Sequence, residues 1–264
     1  MQKDSLIGEF GELKYDIHPG GSKVLLAFHG FGQDNTSLLP CIEKLKFKYT
    51  IYSFRHFFHG SVWNFKDKPL TKSLWEKIIR ELLLKHRIDS FELLGFSLGA
   101  KVALNTLELF ISKVHRVHLL APDGIQTSVW YNLATYPGIF RYFFRSMIVQ
   151  PKRFYSILHG LHRFRLVDNG LLRFAASQMN TASKRHRVYY SWVVYKRLNV
   201  DRGALIELMN TSQCEVTFWL GRYDKVIQRK GIESFAKQLN KKSLKILECG
   251  HSNLINKVAL ELKI

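Results

Sequence analysis

Residues 91–100 have the sequence FELLGFSLGA, in which an apolar strand-like run leads through Gly-x-Ser-x-Gly into the start of a helix. The glycines on either side of Ser97 permit a very tight turn, in which the serine takes a strained backbone conformation. Such a turn projects the hydroxyl above the carboxyl end of the strand, where the N-terminal amides of the helix stabilise developing negative charge. Ser97 is therefore the candidate nucleophile.

Further strand-like runs lie on both sides of this motif, with helical patterns between them. Several are apolar throughout, which is typical of strands covered on both faces of a parallel sheet. The predicted strands are residues 23–29, 49–54, 91–96, 114–121, 215–221 and 243–248. This alternation predicts an α/β fold with a mostly parallel, doubly wound sheet and right-handed crossovers.

The alternation stops after Pro122 and resumes near Cys214. The residues between them have helical patterns with aromatic and basic residues intermixed, and helices are predicted at 137–149, 152–164, 170–178 and 183–198. We therefore predict an α/β core formed by residues 1–121 and 211–264, and an inserted helical lid at residues 122–210. The insertion contains thirteen Lys/Arg and four Asp/Glu, a large share of the excess positive charge.

The whole chain is strongly basic, with 40 Lys and Arg against 21 Asp and Glu and a formal net charge of +19. Such a field attracts phosphates, carboxylates and anionic membrane surfaces without selecting among them. This charge would attract a small-molecule substrate that is anionic, and weak peripheral contact with an anionic membrane is a further hypothesis. The densest basic cluster, residues 183–187, precedes aromatic residues, and such a composition can bind nucleic acid. An amphipathic lid helix with a solvated face has the same composition, and no nucleic-acid partner is expected.

Composition and motifs exclude several other classes. Hydrophobic residues at 46% and aromatic residues at 13% argue against disorder. With no apolar run of about 18–20 residues and no signal-like N-terminal region, we predict a cytoplasmic protein. Three scattered cysteines, Cys41, Cys214 and Cys249, predict free thiols. The histidines and glycines match no metal or nucleotide motif, so neither a metal nor a cofactor is expected.

With its strand before and helix after, the motif at 91–100 resembles the nucleophile turn of the α/β-hydrolase superfamily, whose nucleophile, acid and histidine follow in that chain order. Three more segments resemble loops of this family: LLAFHGFG at 25–32, LGRYDKVI at 220–227 and ECGHSNL at 248–254. The resemblance implies Asp224 as the acid and His251 as the base. It also implies the backbone N–H groups of Phe31 and Leu98 as oxyanion donors.

The resemblance further implies a serine hydrolase that cleaves a carboxylic ester or thioester through an acyl-enzyme intermediate. A serine hydroxyl is a poor nucleophile until an imidazole accepts its proton. His251 would accept the proton of Ser97 and return it to the leaving group, while Asp224 would orient the imidazole. A serine at this turn disfavours the branches of the family that use an aspartate there.

Alternatives remain for several residues. His29 is expected to be a structural turn residue, and Cys249 a small buried apolar residue. Asp168 and Asp201 are other acids, but neither follows a predicted sheet strand. Many relatives have Asp followed by Pro-Gly-His-Gly-x-Ser after the next strand, whereas residues 53–61 are SFRHFFHGS and match only at the final His-Gly-Ser.

Two further functions also remain open. The basic lid, with Arg141, Arg145 and Arg153, favours a hydrolase or lyase that acts on an anionic metabolite such as a coenzyme A thioester. The fold can also serve as a non-catalytic binding protein. Aromatic residues of the lid suggest an apolar acyl or aromatic substrate group, namely Trp130, Tyr131, Phe140, Tyr142, Phe143 and Phe144. The oligomeric state is not predicted.

Overall fold

A computed structural model describes residues 1–66, 68–125, 138–164 and 169–262. The chain forms two compact units. The first consists of Met1–Phe65, Leu70–Gln126 and Arg197–Ile264, and the second of Lys66–Pro69 and Thr127–Lys196. Trp130 and Tyr131, which the sequence assigns to a lid, lie outside the described residues.

The first unit contains the sheet, which has nine strands within the described ranges. They are β1 (Gln2–Gly8), β2 (Gly11–His18), β3 (Lys23–Phe28), β4 (Tyr49–Phe54), β5 (Val62–Trp63), β6 (Phe91–Phe96), β7 (Val114–Leu120), β8 (Glu215–Gly221) and β9 (Lys242–Leu247). Their spatial order is β1-β2-β4-β3-β6-β7-β8-β9, with β5 paired to β2. The strands from β4 to β9 in this order are parallel, whereas the pairs made by β2 are antiparallel.

Helices connect and cover these strands. Those of the first unit are α1 (Leu39–Leu45), α2 (Lys72–Lys85), α3 (Leu98–Leu109), α8 (Arg202–Thr211), α9 (Arg229–Ala236) and α10 (Leu254–Glu261). The second unit contains α4 (Gly138–Val149), α5 (Pro151–Arg163), α6 (Asn169–Met179) and α7 (Ala182–Tyr195). Among the described helices, none combines the length and the apolar character needed to cross a bilayer.

The predicted α/β architecture with a mostly parallel sheet is confirmed. All six predicted strands are present, shifted by no more than one residue at either end. The sequence analysis missed β1, β2 and β5. On β2 the apolar residues Leu13, Tyr15 and Ile17 alternate with more polar ones, a period-two pattern that differs from the continuous apolar runs of the parallel strands.

Helix α8 belongs to the first unit, and the second unit ends at Lys196. The sequence analysis included residues up to 210 in the insertion. That the helical unit acts as a lid stays a prediction.

The core lies on both faces of the central strands. Every residue of β6 is buried, as is almost the whole length of α3. Helix α2 buries Trp75, Ile78, Ile79, Leu82 and Leu83, which form one helical face. The Trp75 indole N–H donates to Thr106 Oγ1 at 2.9 Å, which fastens α2 to α3.

The strand order reverses between β3 and β6. The chain proceeds from β3 to its neighbour β4 on one side, and later from β6 to β7 on the other. In an open parallel sheet, the crevice at the carboxyl ends of two such strands is the usual place for a ligand. Phe28 pairs with Gly95 in register, so the segments after β3 and β6 leave the sheet side by side.

Candidate active site

Ser97 forms the turn between β6 and α3 in a conformation that residues other than glycine rarely adopt. Its φ is 52° and its ψ −115°. Its backbone N–H donates to Leu120 O at 2.9 Å, and its carbonyl accepts from Ala100 N at 2.9 Å and Asp123 N at 3.3 Å. Bonds to the adjoining strand and helix thus hold the strained residue in place.

Gly95 and Gly99 are required by close approach of the backbone. A Cβ at Gly95 would lie 2.5 Å from Ala100 Cα, and one at Gly99 would lie 2.1 Å from Phe28 O. Both distances are far shorter than van der Waals contact. The Gly-x-Ser-x-Gly spacing is therefore explained by how tightly α3 returns against β6 and the end of β3.

Asp224 and His251 form a hydrogen-bonded pair after two neighbouring strands. Asp224 follows β8 and His251 follows β9, and His251 Nδ1 lies 2.7 Å from Asp224 Oδ2. The Asp224 side chain is 2% exposed and that of His251 15%. Asp224 Oδ1 also accepts from Val226 N at 2.8 Å and Ile227 N at 2.9 Å. The carboxylate is thereby fixed in orientation by its own loop.

Backbone contacts hold the loops of Asp224 and His251 together. Tyr223 N donates to Cys249 O at 3.0 Å, and Arg222 N donates to Leu247 O at 2.8 Å. A Cβ at Gly221 would lie 2.6 Å from Cys249 O, so this approach also requires a glycine. The relative position of Asp224 and His251 therefore depends on main-chain contacts as well as on their own hydrogen bond.

The cysteines are all buried and free, as predicted. Burial raises the pKa of the Cys249 thiol, with a smaller contribution from the charge of Asp224. Burial also raises the pKa of Cys41 and Cys214 to about 12. A thiol must ionise to act as a nucleophile, so the raised pKa disfavours Cys249 in that role.

His251 also lies beside the strand that carries Ser97. The rings of Phe96 and His251 have centroids 4.8 Å apart. Phe96 is the residue immediately before Ser97, so the imidazole lies against the residue that precedes the candidate nucleophile. Of the other acids considered, Asp201 caps helix α8 by accepting from Ala204 N at 2.8 Å, and Asp168 lies outside the described residues.

The proposed oxyanion donors belong to the segments that follow β3 and β6. Leu98 is the first residue of α3, where backbone N–H groups have no partner within the helix. Phe31 lies in the turn after β3. Gly30 N donates to Gln33 Oε1 at 3.0 Å, and Gly32 N donates to His59 Nε2 at 3.0 Å. Both peptide neighbours of Phe31 are therefore held by side chains.

Hydrogen bonds of three buried histidines connect this turn to the segment after β4. His29 Nδ1 donates to Gly30 O at 2.7 Å, and His29 Nε2 accepts from His56 N at 3.3 Å. His56 Nε2 donates to His29 O at 2.8 Å, and His59 Nδ1 donates to Phe57 O at 3.1 Å. His29 and His59 each donate through one ring nitrogen and accept through the other, as a neutral imidazole does, and burial together with the neighbouring His29 keeps the pKa of His56 well below 6.5.

The histidine cluster was only partly anticipated. His29 was expected to be structural, which agrees with these contacts, but His56 and His59 were given no role. The dipeptide His-Gly gave no usable signal, since it occurs at 159–160 as well as at 29–30 and 59–60. Over the part of the chain that the structure describes, no group of three or more His, Cys, Asp or Glu side chains could hold a metal ion.

Comparisons with known proteins agree with this architecture. A family model for the alpha/beta hydrolase fold matches residues 23–258. Comparison with curated protein sequences finds no significant match.

Solved structures with a similar fold include several hydrolases of low sequence identity. A thermophilic esterase from Thermogutta terrifontis is 14% identical, with a TM-score of 0.67 over 99% of this chain and 96% of the esterase. A hydrolase from Pseudomonas aeruginosa is 18% identical, with a TM-score of 0.64 over 98% and 95% of the two chains. Naproxen esterase from Bacillus subtilis is 14% identical, with a TM-score of 0.61 over 98% and 88%.

Proposed function

The chain belongs to the alpha/beta hydrolase fold family, and on that premise we propose that it is a serine hydrolase that cleaves a carboxylic ester or thioester through an acyl-enzyme intermediate. The observation that carries the proposal is the 2.7 Å hydrogen bond between His251 and Asp224. Because Nδ1–H of the imidazole donates to the carboxylate, the other ring nitrogen is left as the proton acceptor. His251 is thus in the tautomer that a general base for Ser97 needs.

In the proposed reaction, Ser97 Oγ attacks the carbonyl carbon of the substrate while His251 takes the hydroxyl proton. The carbonyl oxygen becomes negatively charged and accepts hydrogen bonds from the N–H groups of Phe31 and Leu98. The tetrahedral intermediate collapses when His251 returns the proton to the leaving alcohol or thiol. Water, deprotonated by His251, then attacks the acyl-enzyme and releases the acid.

Asp224 supports the base in two ways. Its hydrogen bond orients the imidazole, and its negative charge stabilises the imidazolium that forms when Ser97 attacks. The two bonds that Asp224 Oδ1 accepts from its own loop limit movement of the carboxylate. An ester is the first substrate class to test, because two of the structural relatives are esterases by name.

The test is labelling with a fluorophosphonate probe, which reacts with activated serines. We expect the wild-type chain to be labelled and the Ser97→Ala variant to remain unlabelled. The matched control is Ser90→Ala, because Ser90 is exposed at the turn before the same strand. Labelling that persists in Ser97→Ala would contradict the proposal, as would an unlabelled wild-type protein that is folded by circular dichroism. The second result would favour a binding protein.

A series of p-nitrophenyl esters from short to long acyl chains then measures turnover. Asp224→Asn is expected to lower kcat by about 10⁴-fold, because the amide favours the wrong imidazole tautomer. Loss of kcat without a change in the melting temperature supports the assigned roles. Unchanged kcat in this variant would show that Asp224 is not the acid.

A further inference from the structure

Helix α5 is amphipathic, yet none of its residues is buried. Phe154, Ile157, Leu158 and Leu161 are spaced so that they share one face of the helix. Ile157 is 40% exposed. A helix with such a pattern normally packs its apolar face against a core. On this face Phe154, Leu158 and Leu161 are half-buried and Ile157 is exposed, so the face is only partly covered.

The preceding helix also exposes large apolar side chains. Helix α4 contacts α5 and exposes Tyr142, Phe143 and Val149, of which Tyr142 is 75% and Val149 72% exposed. Phe164, directly after α5, is 71% exposed. Several exposed large apolar side chains on two contacting helices are more than the scattered single ones that are ordinary at a protein surface.

The charge of this segment points to the kind of partner. Residues 138–164 contain five Lys and Arg and no Asp or Glu. A cleft of ≈ 290 Å³ is lined by Tyr142, Arg145, Ser146, Val149, Gln150 and Arg153. Among the ion pairs formed within the described ranges, none involves Arg145 or Arg153. An anionic partner would supply the missing counter-charge.

We propose that α4 and α5 form a docking surface for an anionic phospholipid membrane. The apolar side chains enter the boundary between headgroups and acyl chains, and the basic side chains contact lipid phosphates. The cleft between Arg145 and Arg153 takes one headgroup phosphate. A second copy of the chain is disfavoured as the occupant, because it would bring like charges together. The proposal does not depend on the hydrolytic activity.

The test is flotation of the full chain with phosphatidylcholine vesicles, with and without one third of phosphatidylglycerol. Binding is expected only with the anionic lipid, and it should weaken as salt is added because exposed charges are screened. Equal binding to both vesicles, or no binding to either, would overturn the proposal.

Variants distinguish binding through this surface from binding through the net charge of the whole chain. We expect Arg145→Gln/Arg153→Gln to lower the partition coefficient about fivefold for each arginine removed. Ile157→Gln should lower it about tenfold. The control Lys44→Gln/Lys77→Gln removes two exposed charges from the first unit and should bind as the wild type does. An equal loss in the control overturns the proposal.

Two further measurements keep the test decisive. Each variant is compared with the wild type by circular dichroism and melting temperature, and Val149→Gln replaces Ile157→Gln if that variant does not fold, since Val149 is 72% exposed and lines the cleft. Size-exclusion chromatography without vesicles examines self-association. A dimer that Ile157→Gln dissociates would show that this surface pairs two copies, which would contradict the proposal.

Discussion

At the scale of single residues, Gly99 and Gly160 provide opposite tests of what a glycine does in this chain. A Cβ at Gly99 would lie 2.1 Å from Phe28 O, whereas one at Gly160 on α5 would meet nothing within 4 Å. We expect Gly99→Ala to lower the free energy of unfolding by about 3 kcal/mol through overpacking. Gly160→Ala should raise it by about 0.5–1 kcal/mol, because alanine is the better helix former. Urea unfolding measures both, and equal effects would contradict the role of close backbone contact at Gly99.

His59 is a positioning residue for the turn that carries Phe31. Its Nε2 accepts the Gly32 N–H, so His59→Ala removes an anchor of the proposed oxyanion turn. We expect kcat for an ester to fall about 10- to 100-fold, with KM little changed, because an oxyanion donor acts mainly in the transition state. His59→Gln keeps an acceptor and should restore part of kcat.

The control for His59 is His115→Ala, since His115 is exposed on β7. A purely structural role would lower the melting temperature of His59→Ala and His59→Gln together, without the partial rescue of kcat. Unchanged kcat in His59→Ala would show that the turn holds its shape without this hydrogen bond.

At the scale of elements, Asp16 joins a strand that the sequence analysis missed to two segments near the site. It lies on β2 and is 2% exposed. Its carboxylate accepts from Arg55 Nη2 at 3.0 and 3.1 Å and from Asn35 Nδ2 at 2.6 Å. Asp16→Asn should lower the free energy of unfolding by about 2–4 kcal/mol, because it leaves Arg55 without its counter-charge.

An exposed ion pair is the comparison for Asp16→Asn. Glu76 and Arg80 form such a pair on α2, where Arg80 is 57% exposed. Glu76→Gln should lower the free energy of unfolding by less than about 1 kcal/mol, because water screens the pair. Urea midpoints measure both variants, and losses of equal size would contradict a structural role of Asp16 beyond an ordinary surface pair.

The strands also show how much of the fold could be predicted from the sequence. Strands buried on both faces, such as β6, were predicted to within a residue because a short, continuous apolar run between turn residues is typical of such strands. Strand β1 contains a single buried residue, Leu6, so its sequence shows no apolar pattern typical of a strand. Its pairing with β2 depends on tertiary contacts that its polar residues do not indicate. Ser97 was evident from local spacing. The contacts of His56 and His59 were not, because they join segments 27 positions apart.

At the scale of the whole molecule, buried histidines link stability to pH. Burial, with a contribution from Arg116, lowers the pKa of His118 to about 4, and burial keeps that of His56 well below 6.5. In the unfolded chain a histidine has a pKa of about 6.5. Below that pH the unfolded state binds protons that the native state does not, so stability falls as the pH is lowered.

Above pH 7 we expect these histidines to cause no change in the free energy of unfolding with pH. Between pH 6.5 and about 4, His118 should contribute a loss of about 1.4 kcal/mol per pH unit. Urea unfolding at pH 7.5 and 5.0 measures the loss, and His118→Asn should show a smaller one because it removes one titrating group. The same loss in the variant and the wild type would contradict a contribution from His118.

The pairing of β7 with β8 determines when the two parts of the sheet can assemble during synthesis. Arg116 and Glu215 lie opposite each other in the sheet although they are 99 positions apart. A ribosome that adds about 5–20 residues per second needs roughly 5–20 s to make the chain between them. For that interval β7 is an unpaired edge, which other nascent chains can reach. The serine turn can form then, whereas the proposed acid and base arrive only with β8 and β9, so hydrolytic competence is acquired after most of the sheet has assembled.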